Sequence, residues 1–150
     1  MNIELEAAEL ALALEWGYAT LAEATSWADE KISTSDNPKL DIIEVAFSKK
    51  SSDAIQHLNN LSKGIDEWVL IRVFLKRFRD IDILSYADAS KLARFLFMQS
   101  VHQNDCPDDM IIFHHHSDNI DLAKQGDINC TTEEAIGEFL ADVKAIAFMT

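Results

Sequence analysis

The stretch TTEEAIGEFLADVKAIA, from Thr131 to Ala147, decides the fold class. Ile136, Phe139, Leu140, Val143 and Ala147 recur at three- and four-residue steps, which gathers them on one stripe of a helix. Thr131 and Glu134 stand where a capping box starts such a helix. Working outward, the same signals repeat. Around residues 71–78, Ile71, Phe74, Leu75 and Phe78 lie at i, i+3, i+4 and i+7, with Arg72, Lys76 and Arg79 on the opposite side. Asp66 is placed to cap that helix. Leu92, Phe95, Leu96 and Gln99 share one side of another that starts at Ser85 or Asp88.

The first half reads the same way. Residues 3–15 are rich in Ala, Leu and Glu, and Gly17 is placed to end that helix. Thr20 and Glu23 form a second capping box for a helix from Leu21 toward Ile32. After the loop Ser33–Pro38, a short helix is expected over Pro38–Phe47; a strand is the alternative for its run Ile42-Ile43, Val45-Ala46-Phe47. Ser51 or Ser52 caps a fourth helix that stops near Gly64. Pro107 opens a seventh segment, with Asp105 as its cap. Only four glycines and two prolines are present, few for strands and turns. The expectation is an all-α bundle of seven or eight helices forming one domain over residues 1–150, with Phe74, Phe78, Leu96, Phe139 and Leu140 in its core. Trp16, Trp27 and Trp68, each in or beside a helix end, are expected in the core as well.

Charge bounds the function. Thirteen basic residues against 26 acidic ones give −13. That balance disfavours nucleic acid, whose phosphates call for Lys and Arg, and anionic membrane surfaces. It suits a positively charged protein partner. The charge is uneven: residues 1–48 carry −8, residues 49–100 carry +3 and residues 101–150 carry −8. If the two ends meet, their acids form one face. No apolar run approaches the ~18 residues of a membrane span. The start, MNIELEAAEL, is acidic and helix-forming rather than signal-like. Two cysteines are too few for a disulfide framework. The expected location is the cytoplasm, with free thiols.

The sequence offers chemistry only at FHHHSD, Phe113–Asp118. On a helix, consecutive side chains point about 100° apart. His114, His115 and His116 therefore cannot reach one ion unless the helix breaks, and a helix end, where His suits the negative pole of the dipole, is the simpler reading. No metal site, cofactor or catalytic residue is assigned. Cys106 and Cys130 lie among acids that disfavour a thiolate. Asp108-Asp109 and Glu133-Glu134 suit helix starts. Lys76-Arg77-Phe78-Arg79 is too short for a nucleic-acid face.

One segment carries a resemblance. Leu14-Glu15-Trp16-Gly17-Tyr18-Ala19-Thr20 continues through Glu23-Ala24, Ser26-Trp27-Ala28-Asp29, Pro38 and Ile42-Ile43-Glu44-Val45. It resembles small all-helical bacterial immunity proteins of contact-dependent growth inhibition and related polymorphic toxin systems. The resemblance covers under a quarter of the chain and carries no catalytic residue. It implies an immunity protein, not an enzyme, that neutralises a cognate toxin by blocking its active site. The toxin would be a basic nuclease, whose polyanionic substrate an acidic inhibitor mimics. The alternative is a non-enzymatic helical adaptor or regulatory subunit; a third reading is an enzyme or metal protein built on the histidine tract. Candidate contact residues fall in two groups: Glu4, Glu15, Asp29 and Glu30 near the tryptophans, and Asp105, Asp108, Asp109, Asp118 and Asp121 around the histidines. The sequence does not choose between them.

Overall fold

Asn2 opens the first helix: its extended backbone turns the chain and its side-chain oxygen accepts the Leu5 N–H at 2.7 Å. The computed structural model describes residues 2–102 and 106–149. Among them there are eight α-helices, two 3₁₀ segments and no strand, so the protein is all-α. The helices are α1 (Ile3–Trp16), α2 (Leu21–Ser33), α3 (Leu40–Ala46), α4 (Ser51–Leu61), α5 (Glu67–Leu75), α6 (Tyr86–His102), α7 (His116–Gln125) and α8 (Thr132–Met149). The 3₁₀ segments are Lys76–Phe78 and Asp108–His114.

Most boundaries follow from the expected caps. Thr20 accepts from Glu23 N, Asp66 from Trp68 N and Val69 N, Ser85 from Asp88 N, and Thr131 from Glu134 N. Gly17 ends α1 at φ 79° and Gly126 ends α7 at φ 80°, the left-handed conformation glycine adopts without penalty. Three expectations are corrected. The residue before α4 is Lys50, with no side-chain cap, so Ser51 and Ser52 lie inside the helix, which ends at Leu61. The stripe through Phe78 is not one α-helix, because α5 ends at Leu75 and the chain tightens into a 3₁₀ turn. The segment opened by Pro107 is a 3₁₀ stretch, with α7 beginning only at His116; its proposed cap, Asp105, lies outside the described residues. The strand alternative at 42–47 gives way to helix α3, because Ile42 and Val45, three apart, are the pair that is buried.

Contacts group the chain into two compact units, Met1–Phe74 and Leu75–Thr150, and the division falls inside α5, which explains why no linker marks it in the sequence. In the first unit α1 packs on α4, α2 on α3 and α3 on α4. Ala7, Leu10, Ala11 and Leu14 of α1 meet Ala24 and Ala28 of α2, Ile42 and Val45 of α3, and Ala54, Leu58 and Leu61 of α4. The alanines allow close helix approach, and the leucines supply most of the buried area. In the second unit α6 packs on α7 and on Asp108–His114, and α8 packs on α7 and Lys76–Phe78. The five expected core residues are all buried: Phe74, Phe78 and Phe139 at 0%, Leu96 at 1% and Leu140 at 5% exposure. Phe113 meets Phe139 edge to face at 6.0 Å.

The tryptophans divide. Trp68 is buried, and its indole N–H has no acceptor. Trp16 is half-buried and stands edge-on to Phe74 at 5.9 Å. Trp27 is half-buried and donates to Glu6.

Candidate functional site: acidic surfaces and a buried histidine

The histidine tract is where the helix breaks. His114 ends the 3₁₀ segment, His115 is the joint, and His116 begins α7. The break separates the burial of the rings rather than the rings themselves, for those of His115 and His116 stay 4.4 Å apart. His114 and His115 are exposed, while His116 is 2% exposed. Its Nε2 donates to Asp142 Oδ2 of α8 at 2.6 Å, and its ring lies 5.3 Å from Phe139 and 6.0 Å from Phe113. Burial pushes its pKa below the ordinary histidine value; Asp142 pulls the other way and does not overcome it. His116 is thus a neutral donor joining α7 to α8. The expected placement at a negative helix pole is corrected for this residue: it sits in the first turn of α7, the positive end. Among the described residues no cluster of three or more His, Cys, Asp or Glu could hold a metal ion.

The cysteines follow the sequence reading. Burial first, then Asp109 and Asp108, raise the Cys106 pKa, and burial with Glu134 and Glu138 raises that of Cys130. Both are free and half-buried. Neither environment favours a nucleophilic thiolate.

The acidic candidates separate by unit. In the first unit Trp27 Nε1 and Lys31 Nζ both reach Glu6 Oε2 at 2.9 Å, so the C-terminal half of α2 lies against the first turns of α1. Burial raises the Glu6 pKa, but Trp27 and Lys31 outweigh it and the carboxyl ends below its ordinary value. These two contacts bring Asp29 and Glu30 toward the end of α1 that carries Glu4. Glu15 is eleven residues further along α1, about 16 Å at 1.5 Å per residue, so it belongs to the opposite end. Asp29, Glu30 and Glu15 are exposed, and Glu4 is half-buried with Lys39 Nζ at 3.8 Å.

In the second unit Asp108 and Asp118 are exposed and Asp109 is half-buried. Asp121 is committed internally: Tyr86 Oη donates to its Oδ1 at 3.0 Å, Ser90 Oγ at 3.3 Å, and Arg94 stands 3.6 Å away. It ties α7 to α6. Charge also distributes differently from the thirds read along the chain. The first unit carries 13 acids and 6 bases, net −7, and the second 13 and 7, net −6. The basic middle third is split between them. Arg79 of the basic tetrad donates to the Ala147 carbonyl at 3.2 Å and lies 5.0 Å over the Phe148 ring, so it closes the end of α8.

The polar pairs His116–Asp142, Tyr86–Asp121 and His57–Asp41 (2.9 Å) were not visible in the sequence. Their members stand 26, 35 and 16 residues apart, beyond any helical spacing. Comparison of the chain with family models, with curated proteins and with solved structures finds no match. No helix among the described residues is long and apolar enough to cross a membrane.

Proposed function

We propose that this protein is a non-enzymatic inhibitor that binds a basic protein, acting as the immunity partner of a bacterial toxin domain and covering its active site. The observation that carries the reading is charge carried by both units on exposed helix positions: −7 and −6, with Glu15, Asp29 and Glu30 exposed in one and Asp108 and Asp118 in the other. Acidic helical surfaces accelerate encounter with a basic nuclease domain and mimic its polyanionic substrate. The resemblance around Trp16 and Trp27 supports the same class. The site of action is then the cytoplasm, where such a toxin meets its target.

The deciding experiment is co-expression with the open reading frame immediately upstream. Rescue of growth together with co-purification of the two products is the expected result. Failure of both, with the upstream product shown to be toxic, overturns the reading.

A second reading, a helical adaptor for another protein, has its own support. Leu40, the first residue of α3, and Phe47, just past its end, are 69% and 70% exposed. Apolar side chains so exposed at the two ends of one short helix suit a docking role. Loss of a cellular complex on Leu40→Ser/Phe47→Ser, without loss of toxin protection, would favour it.

A further inference from the structure

Residues 81–85, between the 3₁₀ turn Lys76–Phe78 and α6, form no helix, and Asp82, Ile83 and Leu84 among them line a groove against α8. The groove measures about 320 Å³. Its floor is apolar: Leu84, Ile136 and Leu140 are 6%, 9% and 5% exposed. Ile83, 88% exposed, forms one lip, and the carboxylates of Asp82 and Glu133 stand on the rim. Gly137 sits between them on α8. Glycine inside a helix is destabilising relative to alanine, and neither the backbone nor the neighbours require it here: an added Cβ would meet nothing within 4 Å. The missing side chain leaves open space at this point of the groove lining. Lys144 lies 3.6 Å from Asp82, whose side chain is 95% exposed, so this solvated pair leaves the rim acidic.

We propose that this groove is a docking site for one apolar side chain of a protein partner whose neighbouring residues are Lys or Arg. The apolar floor takes the side chain, and Asp82 and Glu133 receive the flanking cations. The volume is at the small end for ligand pockets, which fits a single anchor rather than a cofactor. An anchor buried in a pocket and ringed by complementary charge is the usual anatomy of an interface centre. This rests on the inhibitor reading for the source of the docking chain, and it names the surface through which a basic partner is held.

The test uses the full chain, isotope-labelled, titrated by NMR with a short synthetic peptide carrying one Phe between two pairs of Lys. The expected result is saturable shifts confined to the amides of Asp82–Leu84 and of the α8 turns at Glu133–Leu140, weakened by salt. A peptide with Glu in place of Lys, and one with Ala in place of Phe, should bind at least tenfold more weakly. Gly137→Leu fills the groove and should lower affinity at least tenfold with an unchanged or raised melting temperature. Asp82→Lys/Glu133→Lys, at two exposed positions, should do the same and serves if Gly137→Leu fails to fold. Equal binding by the Glu peptide, undiminished binding by both variants, or shifts elsewhere on the molecule overturns the proposal. A toxin neutralised equally by wild type and Gly137→Leu would refute the groove alone; an upstream product that never binds, with the peptide still docking, would refute only the inhibitor reading.

Discussion

At the residue scale, His116 shows burial outweighing a nearby charge. Its pKa is lowered on folding, so below the ordinary value of about 6.5 the unfolded chain binds more protons at this position than the folded one. The stability that neutral His116 supports is therefore complete above pH ~6.5 and is lost as the pH falls through its folded value. Denaturant midpoints measured from pH 8 to 5 should decline below ~6.5 in the wild type, and His116→Gln should remove that decline. A second fall comes lower, where Glu6 and Asp41 protonate. Glu6 is held down by Trp27 and Lys31 against its own burial, and Asp41 chiefly by His57, so both support the fold above the ordinary carboxylate range and lose that support beneath it. Asp142→Ala should cost about 1–3 kcal/mol, because it leaves the His116 N–H without its acceptor. His114→Ala and His115→Ala, at exposed positions, should change stability by no more than about 0.5 kcal/mol.

At the element scale, caps and packing are separable by mutation. Thr131→Ala removes the side chain that holds the first turn of α8 and should cost about 1 kcal/mol. Ser51→Ala should cost almost nothing, because Ser51 is the first helical residue of α4 rather than its cap. Equal losses for the two would contradict the observed α4 boundary. Tyr86→Phe removes one of the contacts from α6 to Asp121 on α7, leaving those of Ser90 and Arg94, and should cost about 0.5–1.5 kcal/mol. Leu58→Ala in the first unit and Phe139→Ala in the second remove fully buried side chains and should cost about 2–5 kcal/mol each. Equilibrium denaturation of these five variants against wild type measures all of them.

At the scale of the whole molecule, under the proposed inhibitor reading, the acidic groups set how a partner arrives. Rim charges act mainly on the association rate, which falls with ionic strength. Reversal of Asp29 and Glu30 to Lys tests the first unit, and reversal of Asp108 and Asp118 tests the second. In the unit that forms the interface, reversal should slow association and flatten its salt dependence, as stopped-flow measurement against the toxin domain would show; in the other unit it should change little. Association indifferent to salt and to both reversals would exclude steering by charge and leave the apolar groove or the α3 face as the means of binding. Asp121 belongs in neither set, because its reversal would break an internal network and confuse folding with binding.

The sequence by itself determined the all-α class, most helix starts and the buried stripes. Those are local properties: a cap such as Thr131 acts within one turn, and Phe139 and Leu140 lie on the stripe their spacing defines. It also placed acids at 108, 109 and 134 beside the cysteines, whereas burial, the larger cause of their raised pKa, came from the tertiary structure. Only the tertiary structure decided that His116 is buried while His114 and His115 are not. The break at His115 and the acceptor on α8, 26 residues away, are set by packing that no helical period encodes. It alone divided Asp121 from Asp118, brought Asp29 and Glu30 toward Glu4, and divided the acids between two units rather than among three stretches of chain. The groove at Gly137 belongs with these, because it exists only where residues 82–84 meet Glu133, Ile136, Gly137 and Leu140 of α8, a stretch far away in the sequence.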